Sequence, residues 1–115
     1  MDLQTIVDDL HLTVLTAPGS LTGVTPSGGY ASDLLSCVMA QAAHHSLWVT
    51  LQAHGNVVAV AALLDLSAVI LAEGAQPEPG LIEKARVEGV TLLATPRPTF
   101  EVVGRLWALG LRTPT

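Results

Sequence analysis

The chain is poor in several things, and each shortage removes a class of function. Only 3% of its 115 residues are aromatic and only 13% are charged. Basic residues are scarce, five Lys and Arg against ten Asp and Glu, for a formal charge of −5. No segment clusters them, so the chain lacks the footprint that neutralises phosphates. A nucleic acid polymer is therefore not an expected partner, and an anionic membrane surface is disfavoured on the same ground. The one cysteine, Cys37, has no intrachain partner for a disulfide, the pattern of a reducing compartment. Met1-Asp2-Leu3-Gln4 shows no basic segment leading into an apolar run, so no signal peptide is expected. The longest apolar tract, residues 57–72, is interrupted by Asp65 and Ser67 and is too short to span a bilayer. A cytoplasmic location follows as the expectation.

What is abundant is aliphatic. Half the residues are hydrophobic, and Ala, Val and Leu in such excess suit helices layered on a sheet. Asp2 is placed to cap a helix that carries Leu3, Ile6, Val7 and Leu10 on one side. Residues 11–16 alternate and predict a short strand, and residues 21–25 are expected to be extended. Pro26, Ser27, Gly28 and Gly29 read as a flexible loop. Ser32 or Asp33 then opens a helix with Leu34, Leu35, Val38, Met39 and Ala42 on a wide buried face. Short apolar runs at 47–52, 68–72 and 90–95 alternate with helices at 57–65, about 79–88 and about 99–109. Asn56 is a candidate N-cap for the first of these, and Gly89 is placed to end the second. The 57–65 segment is apolar all round and is expected to be buried. Alternating strands and helices predict a single domain over residues 1–115. Its expected fold is an α/β three-layer sandwich, with a mostly parallel sheet of about five strands and helices on both faces.

In such a sheet ligands bind beyond the carboxyl ends of the strands, which directs attention to the loops 52–56, 73–76 and 95–98. The loop Gly28-Gly29-Tyr30, ahead of the Ser32/Asp33 helix start, is expected to approach them. It is either an anion cradle, with glycines allowing close backbone approach, or a plain turn. His54-Gly55-Asn56 also precedes a helix and is either an anion site with His54 donating or a capped turn. Gln52 stands beside it. His44 and His45 are adjacent and point about 100° apart on a helix, which suits no shared metal. A buried, inert role is expected for Cys37. No Walker A loop, GxGxxG, zinc spacing or Gly-x-Ser-x-Gly elbow is present, and no nucleophile, acid and base can be assembled. No catalytic residue, metal or cofactor is therefore expected. Phe100, Val103 and Trp107 give the last helix a second apolar stripe. It is either covered within the monomer or a dimer contact.

The run Gly28-Gly29-Tyr30-Ala31-Ser32-Asp33-Leu34-Leu35-Ser36-Cys37-Val38-Met39 resembles a stretch of small stand-alone DRTGG-domain proteins. The segment from Leu47 to Ala61 and the order of elements after it do so as well. A similar domain precedes the catalytic part of HPr serine kinase and accompanies CBS domains in regulatory pyrophosphatases. The resemblance implies a regulatory or dimerising α/β module without kinase activity. It suggests homodimerisation or docking on a protein partner, and a small anionic metabolite or nucleotide as ligand. A purely structural interaction domain is the alternative. The motif Asp-Arg-Thr-Gly-Gly itself is absent: the corresponding loop reads His54-Gly55-Asn56-Val57-Val58, so no arginine-based anion site carries over.

Overall fold

A computed structural model describes residues 1–113. The elements in chain order are α1 (Leu3–Leu10), β1 (Thr13–Thr16), β2 (Gly29–Ala31), α2 (Leu35–Gln41) and β3 (Leu47–Thr50). They continue with α3 (Gly55–Leu63), β4 (Ala68–Leu71), α4 (Leu81–Glu88), β5 (Leu92–Ala94) and α5 (Thr99–Ala108). The strands form one sheet in the order β1-β5-β4-β3-β2. Strands β2 to β5 are parallel, and β1 runs antiparallel against β5. This is the three-layer α/β sandwich expected, with helices on both faces of a mostly parallel five-stranded sheet.

The burial pattern explains the layers. Every residue of β3 and β4 is buried, so neither face of the central sheet meets water. Alternate side chains enter two cores. Trp48, Val69, Leu71 and Leu92 pack with α2, α3 and α4. Leu47, Val49, Ile70 and Leu93 pack with α1 and α5. Because β2, β3, β4 and β5 are sequential neighbours, like-handed crossovers place all three intervening helices on one face. The opposite face is left for the two end helices.

Several local expectations are corrected. Residues 21–25 form a turn rather than an extended segment, with Gly23 at φ 85° and the Val24 carbonyl accepting from Leu3 N–H at 2.9 Å. The 26–29 loop ends in a strand, because Gly29 already pairs with Leu47. Helix α2 starts at Leu35, not at Ser32 or Asp33, and no side chain caps it. Its buried face is narrow: Leu34 is 60% and Met39 50% exposed. Helix α3 is one-sided rather than buried all round, with Val57, Val58, Val60 and Ala61 inside and Leu63 outside. Cys37 is half-buried rather than sealed in the core.

Helix α1 shows how its cap organises the first third of the chain. Asp2 Oδ1 accepts from Thr5 N–H and from the Thr5 hydroxyl, both at 2.9 Å. Its other oxygen accepts from Gly23 N–H at 2.9 Å and so ties the 18–25 segment to the helix start. The Gly23 and Thr5 backbone donors lower the Asp2 carboxyl from 3.8 to about 2. A carboxyl depressed on folding stabilises the fold above its ordinary value, and that contribution is lost as pH falls through about 2. Acid titration followed at the Thr5 and Gly23 amides should therefore show a step near pH 2, and Asp2→Asn should remove it. A step near 3.8 at those amides would contradict the tether.

Candidate functional site

The carboxyl ends of β2 to β5 form a rim built from residues 32–34, 51–54, 72–80 and 95–98. On its β2 side the contacts are structural. Asp33 Oδ1 accepts from the buried Thr50 hydroxyl and from Leu51 N–H, both at 2.8 Å. Gln52 donates its amide to the Asp33 carbonyl at 3.0 Å, and Trp48 Nε1 donates to the Ser32 carbonyl at 2.9 Å. Ser32 Oγ accepts from Leu34 N–H at 3.1 Å. Ser32, Asp33 and Gln52 thus lock the end of β2 to the end of β3.

The rim carries the N-termini of α2, α3, α4 and α5, none of which is capped by the side chain of its own N-cap residue. The start of α5 is already occupied by an anion from within the chain. Glu73, at φ 63°, folds back so that its carboxylate accepts from Thr99 N–H at 2.6 Å. The start of α3 is open. Its N-cap is His54, not Asn56, and no side chain caps it. The His54 carbonyl takes Val57 N–H at 3.0 Å, while Asn56 is exposed. Across this end lies Lys84 from α4. Its Nζ sits 3.4 Å from where a Cβ on Gly55 would be, so the missing side chain of Gly55 makes room for the ammonium.

Lys84 is the residue that sequence reasoning missed. Of five basic residues, Arg86 pairs with Glu83, and Arg97 and Arg105 both pair with Glu101. Arg112 lies 4.2 Å over the Trp107 ring. Among the described residues Lys84 alone has neither a carboxylate nor an aromatic partner. No local motif marks it, because it meets Gly55 only through the packing of α3 against α4.

The expected site residues do not all converge. Gln52, His54, Gly55 and Asn56 share the rim, with Ser32 and Asp33 beside them. Gly28 and Gly29 are at the other end of the sheet, since Gly29 pairs with Leu47 and the Gly28 carbonyl accepts from Leu47 N–H at 2.8 Å. Three residues of strand, at about 3.3 Å each, separate them from the rim. The expectation that this loop approaches His54 is therefore corrected. Tyr30 packs against the core shared with α2, α3 and α4. The Phe100, Val103 and Trp107 stripe is uncovered, with exposures of 91%, 37% and 54%. Val103 and Trp107 line a cavity of about 290 Å³ with Gly29 and Ala31 at the β2 edge. A larger cavity of about 530 Å³ lies at the amino end of the sheet. Among the described residues, no three His, Cys, Asp or Glu side chains gather as a metal site, and no helix is long and apolar enough to cross a membrane.

The fold is a mostly parallel α/β sandwich whose rim places Lys84 beside the start of α3. No protein-family model and no curated protein matches the chain. A solved structure does: the CBS and DRTGG domains of the regulatory region of Clostridium perfringens pyrophosphatase, complexed with its activator diadenosine tetraphosphate. The identity is 18% and the TM-score 0.68, over 97% of this chain and 48% of that one. This chain thus spans about half the length of that regulatory region, and the two share a fold.

Replacing Asp33 tests the structural part of the rim. Asp33→Ala strands the Thr50 hydroxyl and Leu51 N–H and should cost about 1–2 kcal/mol in urea unfolding. Asp33→Asn keeps an acceptor oxygen and should recover most of that loss. Equal losses for the two variants would show that the acceptor role is wrong.

Proposed function

We propose that residues 1–115 form one DRTGG-like, non-catalytic regulatory module of the cytoplasm that senses a small anionic metabolite or nucleotide at the start of α3. The observation that carries this reading is the unpaired Lys84 ammonium over the uncapped N-terminus of α3. Exposed N–H groups, the positive end of the helix dipole and an ammonium are the elements of a phosphate site. The ligand's negative charge would complete them, with His54 and Asn56 at the border. The fold's likeness to a pyrophosphatase regulatory region supports a sensing role. That region takes a dinucleoside polyphosphate as activator, which supports phosphate-bearing nucleotides as the first ligand class to try. Occupation of the α3 start would be passed on by homodimerisation or by docking on a protein partner.

The test is thermal unfolding with ATP, diadenosine tetraphosphate and pyrophosphate, with adenosine as the uncharged control. A ligand at 100 times its Kd should add about 2.7 kcal/mol of stability. Lys84→Gln should weaken the effective anion roughly tenfold, about 1.4 kcal/mol. Absence of a shift with all three anions, or an unchanged response in Lys84→Gln, would defeat the reading.

A second reading, a structural dimerisation or protein-interaction domain without a ligand, is favoured by the uncovered stripe of Phe100, Val103 and Trp107. Sedimentation should then show a dimer that Trp107→Glu converts to monomer. A monomeric wild type at tens of micromolar, a concentration that detects about 6 kcal/mol of association, would exclude it.

A further inference from the structure

The larger of the two cavities described above lies away from the rim. It is about 530 Å³, within the range of small-ligand pockets, and opens at the amino end of the sheet. Its floor is the start of β4 and β5, including Ser67 and Thr91, and its roof is the 18–25 segment. The roof is fastened by the Asp2 carboxylate to Gly23 N–H and by Val24 to Leu3 N–H.

Its lining holds one carboxylate, on Asp65, and one imidazole, on His45. Helices α3 and α4 follow their parallel strands and end near this cavity, which is lined by Asp65, two residues past Leu63, and by Gly89, the C-cap of α4. The negative end of a helix dipole favours a cation. Asp65 adds a carboxylate, and no Lys or Arg lines the cavity. Thr91 is only 7% exposed and lines the cavity, and among the described residues no hydrogen bond engages its hydroxyl. His45 stands at the mouth, 3.2 Å from Asp65 Oδ2 through Nδ1. Both take positive φ, 65° and 50°. Their side chains are 64% and 77% exposed, so the pair sits on the solvent side of the cavity. Leu3, Leu21 and Leu66 supply an apolar wall.

We infer that this cavity binds a small organic ammonium with a hydroxyl or other polar group at its far end. Asp65 receives the ammonium, and Thr91 receives the polar group. The site is independent of the start of α3, and its ligand carries the opposite charge.

Amide chemical shifts of the full chain, titrated with ethanolamine, test this. Ethylamine, ethylene glycol and glycolate serve as comparison probes. Ethanolamine should produce saturable shifts at Asp65, Ser67 and Thr91 with a roughly millimolar Kd, the range set by its few heavy atoms. Asp65→Asn, which tolerates the positive φ, should weaken it about tenfold or more. Thr91→Val should weaken ethanolamine while leaving ethylamine unchanged, and Lys84→Gln should change neither. Shifts that never saturate, equal binding of glycolate, or an unaltered Kd in Asp65→Asn would overturn the inference.

Discussion

The structure depends on the complete burial of its two central strands. Leu47–Thr50 and Ala68–Leu71 carry no residue that faces water, so the sheet is stable only when both faces are covered. The alternation of side chains divides the work: Trp48 and Leu71 on one side, Val49 and Ile70 on the other. Sequential parallel neighbours use up α2, α3 and α4 on the first face. The second is closed only by helices from the two ends of the chain. That is why β1 enters antiparallel against β5. It comes from α1, which must lie beside α5 rather than between two strands of the parallel set. The caps follow the same need. Asp2 starts α1, and His11, in the left-handed region at φ 53°, stops it after one buried stripe of Leu3, Ile6, Val7 and Leu10.

The same arrangement makes the two ends of the sheet electrically unlike. Helices that follow parallel strands point their N–H groups to the carboxyl rim and their carbonyls to the amino end. At the rim the chain itself neutralises the start of α5, with Glu73 on Thr99, and sets Lys84 beside the start of α3. At the amino end the turns after α2 and α3 need positive φ, where glycine would be least strained, yet His45 and Asp65 stand there and meet. The two candidate sites therefore suit ligands of opposite charge.

Much of this was legible in the sequence, and the misses have physical causes. Strands β3, β4 and β5 and helices α3, α4 and α5 follow from apolar runs with turn residues between them. Gly89 ends α4 as its lack of a side chain suggests, at φ 70°. Strand β2 was not legible because Gly29-Tyr30-Ala31 contains no apolar run. Its pairing comes from Leu47 and Val49 next door. The glycine pair was open to two readings, an anion cradle or a plain turn, and only the register shows that Gly29 begins a strand. Leu34 and Met39 follow helical periodicity, but periodicity does not count the neighbours available at a sheet edge, where α2 packs chiefly against α3. At the site, His54 and Gly55 were visible as a pre-helix loop. Lys84 was not, since its place is set by the packing of two helices rather than by spacing along the chain.

The β2 edge is the part of the fold least protected by these constraints, and the chain closes it only in part. Edge strands expose unpaired donors and acceptors and are usually shortened, covered or charged. Here β2 is three residues long, and Gly29 N–H is taken by the Arg112 carbonyl at 3.0 Å. A Cβ there would stand 3.0 Å from Leu111 Cδ2, so the leucine tip would have to give by a few tenths of an ångström. Arg112 then turns its guanidinium over Trp107 and donates to the Trp107 carbonyl at 2.7 Å, screening one face of the indole. Phe100, a turn and more away along α5, has no such cover. The segment after α5 thus covers the start of the strand edge and one face of Trp107. Association through α5 would accordingly be centred on Phe100 and the open side of Trp107, and β2 would contribute little backbone pairing.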